Sequence, residues 1–268
     1  MSQEATKSTP IQLWIEGDIS SSQETLVSEY ALQIVMKIGG VEKPLSILLR
    51  TPGDDVVLVI GWLLGEAIIE SLQEIVDITY FDDQIVIELD EKKHSLDTLA
   101  ARRFAISSSC GLCGRETLDG LEIPSRLSLS SDSWVSAETV SQLPSKLVNA
   151  QSLFESTGGL HASALFDADG ELIEIREDVG RHNALDKLIG ARLQANSLPA
   201  EKQILLLSGR IGYELIQKAA FAGIPVIAGL GAPSTMAVEA ARAAGLTLIG
   251  FLKPSRFNIY TGSWRLFE

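Results

Sequence analysis

The chain of 268 residues contains only two cysteines, three histidines and 6% aromatic residues. Two cysteines are too few for the disulfide scaffold of a small secreted domain. Basic residues are also scarce: 22 Lys and Arg against 35 Asp and Glu leave a net charge of −13. That balance argues against generic nucleic-acid binding, which relies on a basic face neutralising phosphates. It leaves room for a small phosphate-bearing ligand in a locally basic pocket. Long apolar runs are missing too. The strongest, Val56 to Ile69, is 14 residues long and contains Glu66. A membrane span needs about 18 or more, so this stretch reads as a buried helix. The start, Met-Ser-Gln-Glu-Ala-Thr-Lys, has no apolar signal core. The expectation is a cytoplasmic protein with reduced thiols and no membrane partner.

What is present is enough apolar sequence, 46%, for a substantial core. The length suits one large domain or two modest ones. Residues 1–28 are polar and are expected to be a flexible, frayed N-terminus. Residues 29–135 read as a smaller α+β portion. Ala31–Ile38 and Leu45–Arg50 are expected strands joined through Gly39-Gly40. Thr51-Pro52 looks like an N-cap with proline at the first helical position, opening a helix to about Glu70. Ile75–Phe81 and Gln84–Leu89 make a second hairpin, and Leu96–Arg103 a short helix. Residues 116–135 are Ser-rich and read as a linker or lid.

Residues 136–268 read as an α/β domain. Ala137–Phe154 is helical in pattern, with Pro144 a point of kinking or breakage. Leu160–Asp167 and Glu171–Glu177 are strands around a tight turn, and His182–Gln194 is a helix. Three strands (203–207, 224–228 and 246–252) then alternate with helices at 211–222 and 233–244. Such alternation indicates a largely parallel sheet covered on both faces. Gly223 and Gly245 fall where helix C-caps belong. The overall class is α/β.

The two cysteines lie three apart, in Ser107-Ser108-Ser109-Cys110-Gly111-Leu112-Cys113-Gly114. A thiol pair at this spacing can exchange with a disulfide, relay a sulfur atom or supply half a metal site. Serine and glycine around it favour an accessible loop over a buried pair. The metal reading fits poorly. Zinc deaminases use His-x-Glu followed by Pro-Cys-x-x-Cys. Here His161 precedes Ala162-Ser163, the CxxC comes before the histidine, and no proline precedes Cys110. No zinc and no other metal ligand is expected. A thioredoxin-like role fits poorly too, because glycine follows both cysteines.

Three Gly-rich loops follow strands of the second half: Ser208-Gly209-Arg210, Gly229 through Ser234, and Phe251-Leu252-Lys253-Pro254-Ser255-Arg256. Ligands of α/β sheets sit at such carboxyl ends, and helix N-termini suit phosphate. Ordinary turns with solvated charges would look the same. The densest polar run is Glu177 to Lys187, EDVGRHNALDK. It could bind a polar ligand or organise a buried hydrogen-bond network. Thr157-Gly158-Gly159-Leu160-His161 places a histidine beside two glycines that permit close approach. A structural histidine is the other reading.

Taken together, SSCGLCG, TGGLHA, EDVGRHN, Ser208-Gly209-Arg210, Ala232-Pro233-Ser234 and Gly250 through Tyr260 resemble the formate dehydrogenase accessory sulfurtransferase family (FdhD-like). Order and spacing agree from about residue 29 to the C-terminus. Ser234 stands where threonine is expected, keeping the hydroxyl. Lys253 stands where arginine is common, keeping charge without the planar fork.

The resemblance implies a sulfurtransferase that takes persulfide sulfur from a cysteine desulfurase. It would pass that sulfur to the molybdenum or tungsten of the bis(molybdopterin guanine dinucleotide) cofactor, destined for the formate dehydrogenase apoenzyme. It also implies a layered αβα fold of the cytidine-deaminase type without the zinc. Under it, Cys110 is the persulfide carrier and Cys113 its relay partner. Phe251, Leu252, Lys253, Pro254, Ser255 and Arg256 are the first expected contacts with the guanine dinucleotide. Gly158, Gly159, His161, Arg181, His182, Asn183, Ser208, Gly209 and Arg210 support them. A cofactor with two such arms suits a homodimer with paired pockets. The alternative is a non-catalytic chaperone that holds the cofactor for delivery.

Overall fold

In the computed structural model, residues 3–96 and 132–268 are described. The expected helix at Leu96–Arg103 and the linker at 116–135 lie wholly or mostly outside them, as do Cys110 and Cys113.

The N-terminal stretch, expected to be frayed, instead forms a hairpin of β1 (Thr6–Ile15) and β2 (Asp18–Val27). Ile11, Leu13 and Ile15 fall at every second position, with Gln12 and Trp14 between them, a strand period hidden by the Ser and Thr content. Glu16 (φ 49°) and Gly17 (φ 107°) make the left-handed two-residue turn that hairpins favour.

Strands β3 (Tyr30–Ile38) and β4 (Val41–Arg50) follow, then α1 (Asp55–Gly65), β5 (Ile75–Phe81) and β6 (Gln84–Leu89). They build a four-stranded sheet in the order β4-β3-β6-β5, with β3 parallel to β6. α1 begins later than Thr51-Pro52 suggests. Gly53 (φ 99°) and Asp54 (φ 60°) turn the chain before a helix can form. It also ends before Glu70. Ala67 takes φ 54°, with its N–H on Leu64 O and that of Ile68 on Leu63 O, a Schellman-type stop.

The second half contributes β7 (Val135–Ser136), α2 (Ala137–Ala150), α3 (Ser152–Thr157), β8 (His161–Phe166), β9 (Leu172–Asp178) and α4 (Arg181–Gln194). β10 (Ile204–Leu207), α5 (Tyr213–Phe221), β11 (Val226–Gly229), α6 (Thr235–Ala243), β12 (Thr247–Lys253), β13 (Arg256–Thr261) and β14 (Leu266–Phe267) complete it. α2 runs unbroken through Pro144, because Val140, Leu143 and Leu147 bury one face; the break comes at Gln151. Gly223 (φ 70°) and Gly245 (φ 66°) end α5 and α6 as read.

The large sheet has the order β13-β12-β11-β10-β8-β9. Only β10, β11 and β12 are mutually parallel; β8, β9 and β13 join antiparallel. The expectation of a largely parallel sheet is therefore corrected to a mixed one. The Asp167–Gly170 turn is too short for a parallel crossover, and the unforeseen β13 returns directly from β12.

Both faces of this sheet are covered. Leu205 and Leu207 point into a cluster shared with Leu32, Ile34, Ile85, Leu58 and Leu63. Ile204 and Leu206 point into the other, with Val140, Leu143 and Phe166. The first cluster thus joins the small sheet to the large one through α1 and α4. These helices cross in backbone contact: a Cβ on Gly61 would meet the Asp186 carbonyl, and one on Gly190 the Val57 carbonyl. Among the described residues no helix is long and apolar enough to cross a membrane.

Candidate functional site

The turn from β9 into α4 is pinned from below. Asp178 is fully buried and accepts from Thr51 N (3.1 Å), Gly180 N (2.9 Å) and Asn183 Nδ2 (2.9 Å), with Lys187 Nζ at 2.7 Å. Asn183 Nδ2 also donates to Leu49 O at 2.7 Å, and Lys187 Nζ to Thr51 O at 2.8 Å. Half of the EDVGRHNALDK run is therefore the buried network, tying α4 to the end of β4. The Asn183 amide N–H groups are spent inside it.

The other half faces outward. Arg181 and His182 open α4 and line a cavity of about 290 Å³ with His161, Asp186, Lys218 and Glu66. Trp62, Leu48 and Leu49 supply an apolar wall. Arg181 Nε and His182 Nε2 are buried with no hydrogen-bond partner among the described residues. Glu214 Oε2 lies 3.8 Å from His182 Nε2, an electrostatic contact too long for a hydrogen bond. His182 holds the Glu214 carboxyl below its usual range. His161 is held below the ordinary histidine range by burial, then by the charges of Arg181 and His182.

Under this rim lies a buried ionic group. Lys218 Nζ is 2.7 Å from Asp186 Oδ1 and 3.8 Å from Glu66 Oε1. Lys218 crosses α1 at Gly65, where a Cβ would sit 2.9 Å from its Cγ. Sequence reading missed Glu66, Glu214 and Lys218 as site residues. Their one signal was a charge set among apolar helix neighbours.

The three Gly-rich loops do converge, each bonded to the next. Ser208 N donates to Ala162 O (3.0 Å), and Ser208 Oγ lies 3.5 Å from His161 Nδ1. Gly209 packs on the His161 ring, where a Cβ would come within 3.2 Å. Gly231 N donates to Gly209 O (3.2 Å), and Phe251 N to Gly231 O (3.1 Å). Phe251 has φ 52° and an exposed ring. Beyond it the expected contacts diverge. Leu252 is buried in the second core cluster, while Lys253, Pro254, Ser255 and Arg256 are exposed at the β12–β13 turn and do not line the cavity. Arg210 is exposed and also outside the lining. Gly158 (φ 65°) caps α3 and faces open space, whereas Gly159 packs against Val27 of β2. Among the described residues no cluster of three His, Cys, Asp or Glu is placed to hold a metal.

The arrangement offers the Arg181 guanidinium and an under-bonded His182 nitrogen beside an apolar wall, suited to an anionic group attached to a ring. Comparison with known proteins agrees on kinship. The model of the FdhD/NarQ family matches residues 27–267. The sulfur carrier protein FdhD of Sulfolobus acidocaldarius is 44% identical over 252 residues, 94% of each chain. That of Streptomyces avermitilis is 42% identical, covering 94% of this chain and 92% of its own. The crystal structure of a candidate formate dehydrogenase accessory protein from Desulfotalea psychrophila superposes with a TM-score of 0.74 at 19% identity. It covers 98% of this chain and all of its own, which shows the α/β fold.

Proposed function

The chain belongs to the FdhD/NarQ family, and on that footing we propose that it is a sulfur carrier serving formate dehydrogenase maturation. What carries the reading is the near end-to-end similarity to proteins named as sulfur carriers, in a chain whose only thiols are Cys110 and Cys113. The Cys110 thiolate attacks the outer sulfur of a cysteine desulfurase persulfide. A new S–S bond forms on Cys110, the donor S–S bond breaks, and the donor cysteine leaves as thiolate. The Cys113 thiolate either attacks the outer sulfur of that persulfide, taking it while Cys110 leaves as thiolate, or attacks the inner sulfur, closing a Cys110–Cys113 disulfide and expelling hydrosulfide. The recipient is the molybdenum or tungsten bis(molybdopterin guanine dinucleotide), bound as cargo and delivered to the apoenzyme. Its phosphates suit Arg181, His182 and the α4 N-terminus, and its guanine suits the Trp62 wall. Phe251 lies on the loop chain that ends at His161. The protein works in the cytoplasm as a homodimer with two such cavities.

The test is the intact mass after incubation with a cysteine desulfurase and cysteine, with and without reductant. The expected result is one reducible sulfur, lost in Cys110→Ala, while that variant still binds guanosine diphosphate. A Cys110→Ala variant that still activates formate dehydrogenase would leave only the cofactor-holding role.

A further inference from the structure

Residues 6–26 stand outside the segment matched by the family, yet they are ordered. Among the described residues, β1 and β2 pair only with each other, in ten register pairs from Thr6–Val27 to Ile15–Asp18. The arm is held at its base, and β2 also packs against α3 of its own chain. Ser28 N donates to Ala5 O (2.8 Å), Gln3 accepts from Arg50 (2.7 Å), and Val27 packs on Gly159. Neither strand has a buried residue, and the tip exposes Trp14 (66%), Ile15 (58%) and Ile19 (67%). A ten-residue strand reaches about 30 Å. A two-stranded hairpin of that length is marginal in water unless something covers it.

Among the described residues neither outer edge has a strand partner, and the two edges differ. β1 carries Lys7 and Pro10, both of which discourage edge pairing. β2, DISSSQETLV, carries neither, and its centre, Ser20-Ser21-Ser22, is small and uncharged. An edge of this kind is complementary to itself. We propose that β2 of one copy pairs antiparallel with β2 of a second copy, about a twofold axis at Ser22, making a sheet in the order β1-β2-β2-β1. The pairing deepens the homodimer reading and rests on it, but not on sulfur transfer.

Charge narrows the register. A twofold axis perpendicular to the sheet keeps every residue on its own face, so the centre falls on a residue. A centre at Ser20 sets Glu24 against Glu16, and one at Ser21 sets Glu24 against Asp18. Like charges directly opposed are destabilising. A centre at Ser22 sets Glu24 against Ser20, Ile19 against Thr25 and Asp18 against Leu26, so no carboxylates meet. The ten residues of β2 form the seam, and β1 flanks it on each side. Trp14 and Ile19 are cross-strand partners on one face, an apolar anchor beside the seam.

The test uses the full chain. Light scattering is expected to give twice the 28.9 kDa of one copy for the native protein, and one copy for Ser22→Lys, which sets two ammonium groups face to face. Ser22→Cys, with Cys110 and Cys113 replaced by serine, is expected to cross-link under mild oxidant. Directly opposed residues have Cα atoms about 4.5–5.5 Å apart, within disulfide reach. A native monomer would overturn both the arm pairing and the homodimer. A dimer that survives Ser22→Lys, or a Ser22→Cys chain that stays uncross-linked, would overturn the arm pairing alone.

Discussion

Lys218 Nζ lies 2.7 and 2.8 Å from the two carboxylate oxygens of Asp186, both side chains buried at the floor of the cavity. The pair joins α5 to α4, and Glu66 brings in α1. Removing one partner strands the other charge away from water. Lys218→Met is expected to lower stability by about 3–5 kcal/mol. Chemical denaturation checks it, and a loss below about 1 kcal/mol would mean that Asp186 finds another partner or sheds its charge.

Burial pushes the Asp186 carboxyl from its ordinary 3.8 up to about 6, despite Lys218. The folded state then holds this proton more tightly than the unfolded chain. This group's contribution to stability therefore falls as pH climbs from about 4 to about 6. For Lys218, burial opposes the charge, but Asp186 and Glu66 outweigh it and raise its pKa above 10.5. Its contribution is full at neutral pH and is lost only as pH rises through that raised value. Thermal midpoints of native protein and Asp186→Asn between pH 4 and 6.5 read the first effect. The difference between them should change across that window; a constant offset would refute it.

His161 should titrate below 6.5. Its unfolded state takes up protons more readily, so its contribution to stability is lost as pH falls through about 6.5. An anion placed beside it favours the charged ring. NMR titration should find a low midpoint that rises when guanosine diphosphate is added. An unmoved midpoint would place the phosphates elsewhere.

Gly61→Ala tests the crossing of α1 and α4. In an ordinary helix the change would stabilise by about 0.5–1 kcal/mol. Here the methyl would strike the Asp186 carbonyl and the Gly190 backbone. Overpacking of about 1–3 kcal/mol should win, lowering the melting temperature. Because Asp186 shifts with α4, a weaker affinity for guanosine diphosphate is also expected.

Asp178→Ala removes the acceptor of Thr51, Gly180, Asn183 and Lys187 at once. A loss of about 3–5 kcal/mol is expected, because Lys187 is left buried without its counter-charge, on backbone carbonyls alone. Arg181→Gln should spare stability and weaken nucleotide binding instead. Parallel denaturation and binding curves separate the two halves of the run.

Much of the fold could be read along the chain because local chemistry decided it. The alternation from Ile204 to Lys253, the helix stops at Gly223 and Gly245, and the hairpin between Ile75 and Leu89 each depend on neighbours a few residues apart. The N-terminal hairpin was legible in principle, through Ile11, Leu13, Ile15 and the Glu16-Gly17 turn, but serine and threonine masked the period. Local reading failed where burial outweighs propensity, as at Pro144, or where backbone φ resets a boundary, as at Asp54 and Ala67.

For the site, sequence alone determined the chemistry available: one pair of thiols, a loop set at strand ends, and a polar run holding Arg181 and His182. It could not divide that run into Asp178 and Lys187 for structure, Arg181 and His182 for the cavity, and Asn183 for both. That division depends on which side of α4 meets Thr51 and Leu49, more than 120 residues earlier. Nor could it join Lys218 to Asp186 or set Leu252 inward, because burial and ion pairing are properties of the packed interior. Residue type set what each group could do, and the crossing of α1 on α4 decided which of them shared a cavity.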